Sequence, residues 1–119
     1  MRQVAGTLIV LLAIGTAARS QGETSDAGRV IRLAVEALSQ CETRTAYTFA
    51  LASVWPPHEI VAASQQACLG QIGILRHALV ASGMEESLAD GAIGAEEKAT
   101  ETDLISAINQ WRAAATSGQ

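Results

Sequence analysis

Cys41 and Cys68 are the only cysteines in this 119-residue chain, and their spacing is the most specific chemical signal in it. They lie at equal distances from the Val54–Trp55 bond, just before a double proline. Facing residues of an antiparallel helical hairpin have numbers with a nearly constant sum, and for this pair the sum is 109. The spacing predicts two helices folded back on each other and joined near their middles by a Cys41–Cys68 disulfide. The closed loop of about 27 residues would stabilise the fold by roughly 3.5 kcal/mol.

No other residues combine into a recognisable reactive site. The two histidines, His58 and His77, are about five helical turns apart, and neither has a His, Cys or Asp three or four residues away that would complete a zinc site. A Cys-x-x-Cys redox motif is absent, and the serines lack the surroundings of a nucleophile elbow. We therefore expect no catalytic residue, no metal site and no cofactor, and a protein that is not an enzyme.

One acidic segment, between Glu85 and Asp103, holds seven of the twelve acidic residues. It lacks the alternating acids of a calcium-binding loop. Its composition favours a solvated, mobile face. Paired carboxylates for acid–base catalysis are the alternative interpretation, although no nucleophile accompanies them. The seven acids are Glu85, Glu86, Asp90, Glu96, Glu97, Glu101 and Asp103.

Residues 1–20 have the pattern of a secretory signal peptide. Arg2 precedes an apolar stretch from Val4 to Ala18, and small residues allow cleavage after Ala18 or after Ser20. A permanent membrane anchor is the alternative, but the stretch is short for a span of about 20 apolar residues. We expect cleavage and a secreted or periplasmic protein without membrane contact. Export agrees with the disulfide, because disulfides persist in such compartments.

The composition limits the partners and the size of the core. The chain has a net charge of −4, and removal of the leader with its two arginines leaves six basic against twelve acidic residues. Basic residues do not cluster, so we expect no nucleic-acid partner. Alanine is abundant and only four residues are aromatic, which favours helices and narrow contacts between them.

The hairpin helices are predicted over residues 27–53 and 57–81, after a flexible segment at 21–26. Pro56 and Pro57 end the first helix, because proline lacks the N–H that a helix interior needs. The apolar residues of both helices recur at steps of three and four. The first stripe comprises Ile31, Ala34, Val35, Leu38, Cys41, Thr45, Phe49 and Ala52, and the second Val61, Ser64, Cys68, Ile72, Leu75, Ala78 and Leu79.

Gly70 and Gly73 interrupt the second stripe, and each costs about 1 kcal/mol relative to alanine in a helix. We interpret them as a site of close approach by another helix, with Trp111 packed over them; a kink or break is the alternative. A short helix at 84–90, a loop at 91–94 and a last helix within 95–115 should follow, and residues 116–119 should fray. The face of the last helix is Leu104, Ile105, Ile108, Trp111 and Ala115.

The sequence thus predicts one all-α domain over residues 27–115, a small helical bundle that contains the disulfide-linked hairpin. Because one hairpin leaves apolar surface uncovered, two copies could form a four-helix bundle. We expect a non-enzymatic binding or structural protein of the cell envelope that uses a helical surface to contact a protein partner or itself. The alternative is a small-molecule binder or minor enzyme with a pocket between helices, near Tyr47, Arg76 and His77. Trp55 either contacts a partner or closes the end of the hairpin, and we favour the second.

Overall fold

The computed structural model describes residues 26–118, which form four helices and no strand. The predicted signal peptide and the segment 21–25 lie outside these residues. The helices are α1 (Asp26–Ala52), α2 (Pro57–Ala67), α3 (Leu69–Ala81) and α4 (Glu86–Ser117). α1 packs antiparallel to α2 and α3, and α4 packs against all three. The result is an elongated helical bundle of 52 × 23 × 18 Å, which confirms the predicted fold class.

The predicted disulfide joins the two arms of the hairpin. Cys41 and Cys68 are bonded with their Cα atoms 6.0 Å apart. α1 begins and ends one residue before the predicted positions, and α2 begins at Pro57 as expected. Proline suits this first position because the first helical N–H groups have no partner within the helix. The symmetric spacing therefore determined the register of the hairpin correctly.

The sequence predicted one continuous helix for the second arm, but the arm consists of two helices. Cys68 departs from helical geometry, with φ −107° and ψ 21°, and separates α2 from α3. Backbone hydrogen bonds continue on both sides of it, from the Cys68 N–H to the Ser64 carbonyl (3.1 Å) and from the Gln71 N–H to the Cys68 carbonyl (3.0 Å). The break therefore occurs at the residue that must approach α1 for the disulfide, and not at the glycines.

The prediction that Trp111 of this chain packs closely over Gly70 and Gly73 was wrong. Both glycines are exposed, and a Cβ atom added at either one would have no neighbour within 4 Å. Trp111 packs elsewhere, with its ring edge-on to Tyr47 at a centroid distance of 5.2 Å. Nothing inside the described fold requires glycine at these two positions.

The C-terminal helix is longer than predicted. α4 begins at Glu86, so it includes residues 86–90 of the predicted short helix and the predicted loop at 91–94, and it continues to Ser117. Gly91 and Gly94 lie inside it. The glycines are exposed, whereas Ala89 and Ile93 of the same helix are buried against α1 and α3. Such burial stabilises a helix more than local glycine preferences weaken it, because most helix stability in proteins comes from packing.

The core consists of two apolar clusters along the bundle. The first joins the N-terminal half of α1 to α3 and the start of α4, and the second joins the C-terminal half of α1 to α2 and the middle of α4. In the second half of α1 the buried positions are Glu42, Ala46 and Ala50, whereas Cys41, Thr45 and Phe49 are half-buried. The predicted stripe was one residue off there, because α4 covers the other side of α1.

Arg112 connects the end of α4 to the end of α1. Its guanidinium group donates hydrogen bonds to the carbonyl oxygens of Ala50 (2.9 Å), Ser53 (3.0 Å) and Trp55 (2.8 Å). The last carbonyls of a helix have no partner within it. Arg112 therefore supplies donors to the C-terminus of α1 and to the turn that follows.

Candidate functional site

Four acidic side chains meet where α1 packs against α4. α1 contributes Glu42, and α4 contributes Glu96, Glu97 and Asp103. Glu42 is 1% exposed and Glu96 is 3% exposed. Acidic side chains are almost never fully buried unless they are paired with a cation or a donor. This buried carboxyl cluster is therefore the least ordinary feature of the described residues.

The helices place these groups by simple periodicity. Glu42 follows Leu38 and precedes Ala46 at steps of four on the buried face of α1. The buried residues of α4 recur at steps of three and four, and two of them are Glu96 and Thr100. The carboxyl groups thus occupy positions that an apolar side chain would normally fill, between the two apolar clusters.

The pKa values of three of these carboxyl groups are raised. Burial, a hydrogen bond with Glu97 and the charges of Glu97 and Glu96 raise the pKa of Glu42 to about 9. Burial and the neighbouring acids Glu97 and Asp103 raise the pKa of Glu96 to about 7. Burial also raises the pKa of Glu97. With a pKa of about 9, the Glu42 carboxyl keeps its proton at neutral pH, and its O–H donates a hydrogen bond to the Glu97 carboxylate.

The cluster lacks compensating groups among the described residues. One carboxyl oxygen each of Glu42, Glu96, Glu97 and Asp103 is buried without a hydrogen-bond partner. A nearby basic side chain would lower the pKa of a carboxyl group, and none does so for these three glutamates. Within residues 26–118, no set of three or more acidic, histidine or cysteine side chains has an arrangement that could hold a metal ion. The carboxyl groups of the cluster can bind protons at neutral pH, and they do not have the arrangement of a metal site.

The cluster lies beside the disulfide and the break between α2 and α3. Glu42 follows Cys41 directly in the chain. The side-chain amide of Gln65 on α2 donates a hydrogen bond to the backbone carbonyl of Glu97 (3.4 Å). The Thr45 hydroxyl lies 4.0 Å from the sulfur of Cys68. The covalent link and the proton-binding groups therefore occupy the same level of the bundle.

The expectation of a solvated acidic face was wrong for Glu96, Glu97 and Asp103. The other four acids, Glu85, Glu86, Asp90 and Glu101, are exposed as expected. The predicted loop at 91–94 interrupted the helical period that indicates the burial of Glu96. If the helical period is continued from Ala89 and Ile93 through the glycines, it places Glu96 on the buried face.

The other predicted site residues are separated from this cluster and from each other. Arg76 forms ion pairs with Asp90 (2.7 Å) and Glu86 (3.4 Å) at the start of α4. Tyr47 contacts Trp111, 21 residues after Asp90 on the same helix, which is a distance of about 30 Å along the helix axis. Arg76 and Tyr47 therefore do not line one pocket. His58 and His77 are exposed, on α2 and α3.

Trp55 is partly covered by Phe49 and partly exposed. Its ring stacks on Phe49 at a centroid distance of 5.4 Å and an interplanar angle of 24°, close to the end of the hairpin. The residue as a whole is 45% exposed. A contact between Trp55 and a partner stays a prediction.

Two helix faces present apolar side chains to solvent. On α3, Leu69 and Ile74 flank the exposed glycines. On α1, Leu33 and Leu51 are exposed on the side opposite the core. Within residues 26–118, no helix combines the length and the hydropathy that crossing a membrane would require.

Comparison with protein-family models, with curated proteins and with solved structures gives no match to this chain.

Proposed function

We propose that this chain is an exported, non-enzymatic binding or structural protein of the cell envelope, and that it binds a helix of a protein partner through the outer face of α3. The observation that carries the proposal is the pair of exposed glycines, Gly70 and Gly73, with open space above both. Each glycine costs a helix about 1 kcal/mol relative to alanine. Close approach of a partner helix would explain glycine at these two positions. Contacts within the described residues do not explain it.

The side chains around the glycines support the same proposal. Leu69 and Ile74 are 52% and 59% exposed, and no charged residue occurs between Ala67 and Leu75. α3 is apolar except for Gln71, Arg76 and His77. Its residues Leu75, Ala78 and Leu79 are buried against α1 and α4, whereas Leu69 and Ile74 have no such cover. The partner should present small or apolar residues along one helix face.

Export is the second part of the proposal. Its support is the signal-like pattern of residues 1–20 together with a disulfide, which persists in oxidising compartments. Mass spectrometry of the processed protein should find Arg19 or Gln21 as the first residue, and both cysteines oxidised. A chain that retains residues 1–18, or that has free thiols in its native compartment, would contradict this part.

The alternative of an enzyme or small-molecule binder has less support. The carboxyl cluster has raised pKa values, which are frequent at catalytic sites. Glu42 and Glu96 are nevertheless almost completely buried, so a substrate has no route to them without movement of α4. The groups first considered for a pocket, Tyr47 and Arg76, have separate partners.

Affinity capture tests the partner proposal. The tagged protein is recovered from its native envelope in three forms: the natural sequence, Ile74→Glu and Leu88→Glu. Leu88 is exposed to a similar degree, 65%, but lies on α4 and serves as the matched control. We expect one partner to be recovered equally with the natural protein and the Leu88 variant, and at least about tenfold less with Ile74→Glu, since a charge in a desolvated contact costs several kcal/mol.

Two outcomes would contradict the proposal. One is the absence of any protein recovered in a fixed ratio with the natural chain. The other is a partner that Ile74→Glu retains in full. Circular dichroism of each variant shows whether it has kept its helices, so that a folding defect is distinguished from a binding defect.

A further inference from the structure

The outer face of α1 carries a second regular pattern. Starting at Val30, exposed residues recur at alternating steps of three and four as far as Val54, just after the helix ends. This is the spacing of the contact positions of a coiled coil. The stripe lies opposite the buried face of α1, on which Val35 and Glu42 are found. It comprises Val30, Leu33, Ala37, Gln40, Arg44, Tyr47, Leu51 and Val54.

The spacing of the stripe is the same when it is counted from either end. Its members form pairs whose numbers add to 84: Val30 with Val54, Leu33 with Leu51, Ala37 with Tyr47, and Gln40 with Arg44. In an antiparallel pair of identical helices related by a two-fold axis, these are the residues that face each other. An interface of this type requires a surface that is complementary to itself.

We propose that two copies of this chain associate through the outer faces of their α1 helices, antiparallel, so that Leu33 of one copy faces Leu51 of the other. The pairs are suited to this arrangement. Leucine meets leucine and valine meets valine, and the small Ala37 leaves room for the Tyr47 ring of the second copy. A parallel arrangement would instead place tyrosine on tyrosine and leave a gap between the two alanines.

The polar pair lies at the centre of the proposed interface. The Gln40 side-chain oxygen accepts a hydrogen bond from the Arg44 guanidinium of the second copy, and the long arginine side chain can keep its charge in water. A polar residue at one contact position fixes the register of a coiled coil at some cost in stability. The centre therefore selects the antiparallel register, and the apolar ends supply the attraction.

This interface is independent of the proposed partner site. α3 lies against the inner side of α1, so that its outer face and the outer face of α1 point away from each other. Self-association through α1 leaves α3 open to a partner. Loss of self-association and loss of the partner can therefore be observed separately.

Sedimentation of paired charge variants tests the inference. Leu33 and Leu51 are 57% and 46% exposed, so substitution there should preserve the monomer fold. The double variant Leu33→Glu/Leu51→Glu would place like charges opposite each other, and Leu33→Glu/Leu51→Lys would place opposite charges together. Leu88→Glu on α4 is the matched control.

The expected result is specific to the antiparallel register. The natural chain and the Leu88 variant should change from one to two chain masses as the concentration rises through the micromolar range. Leu33→Glu/Leu51→Glu should remain a monomer at least tenfold above that range, and Leu33→Glu/Leu51→Lys should again dimerise, more weakly at high salt. A natural chain that is monomeric throughout would overturn the inference, as would a dimer that tolerates two glutamates or one that the Glu/Lys pair does not restore.

Discussion

The two contacts of α1 are held together in different ways. Its contact with α2 and α3 has a disulfide in addition to apolar packing. Its contact with α4 has apolar packing, the hydrogen bonds of Arg112, and a layer of carboxyl groups, each of which has one buried oxygen without a hydrogen-bond partner. The hairpin is therefore fixed covalently, whereas we expect the stability of the contact with α4 to depend on the protonation of Glu42 and its neighbours. Conditions that release α4 should leave the hairpin intact.

The largest expected effect is a loss of stability with rising pH. The folded-state pKa values of Glu42 and Glu96, about 9 and about 7, lie above the ordinary value of 4.5. The folded protein thus binds these protons more tightly than the unfolded chain does. The resulting stabilisation is complete below about pH 4.5 and is lost as the pH rises towards 9. Thermal unfolding followed by circular dichroism should give a Tm that falls by more than about 10 °C between pH 5 and pH 9.

The variant Glu42→Gln identifies the source of this effect. A glutamine has nearly the same shape and no proton to lose, so the variant should exceed the natural protein in Tm at pH 9 and resemble it at pH 5. Glu101→Gln, at an exposed position of α4, should leave the pH dependence unchanged. A Tm that is constant or rises from pH 5 to pH 9 would show that the carboxyl layer does not control the contact between α1 and α4.

Removal of the disulfide should produce the next largest effect, on the other contact. Cys41→Ala/Cys68→Ala releases a loop of 27 residues, which should lower the free energy of unfolding by about 3.5 kcal/mol. Urea unfolding at pH 5 and pH 8 measures this loss. The loss should be the same at both pH values, because the carboxyl layer belongs to the contact with α4. A loss that doubles at pH 8 would mean that the two contacts are not independent.

These contacts also differ in how far the sequence predicted them. The hairpin register followed from the positions of Cys41, Cys68 and the double proline, because equal distances from one turn leave a single antiparallel pairing. The break at Cys68 did not follow, since it arises from the local approach of two backbones. The sequence favoured a break at the glycines, because their low helix propensity is evident from residue type alone. The packing that causes the break at Cys68 is not.

The carboxyl layer was missed for a different reason. Charged side chains in a segment rich in acids are usually solvated, and Gly91 and Gly94 favoured a loop there. The burial of Ala89 and Ile93 outweighed these local preferences and extended α4 through the glycines. This extension carried Glu96 to the buried face opposite Glu42. Local sequence preferences could not predict it, because the stabilising contacts come from residues about fifty positions earlier in the chain.

A smaller effect is expected where α4 holds the end of α1. Arg112→Ala removes three hydrogen bonds to backbone carbonyls and should lower the free energy of unfolding by about 2 kcal/mol. Hydrogen exchange should locate the effect in the last turn of α1 and in the turn with Trp55. Arg112→Lys, which cannot reach three acceptors in one plane, should recover only part of the loss. Full stability in Arg112→Ala would show that water satisfies these carbonyls equally well.

The smallest effect is an increase in stability on α3. A Cβ atom at Gly70 or Gly73 meets nothing within 4 Å, so alanine at either position should stabilise the fold by about 1 kcal/mol. Urea unfolding measures the gain, and Gly83→Ala is the contrasting control, since φ at Gly83 is 107° and a side chain there is strained. If the glycines serve a partner helix, the same two alanines should also weaken the binding of that partner. Stabilisation without any loss of binding would leave these glycines without a role at the proposed surface, and destabilisation would show that α3 is less open than its geometry indicates.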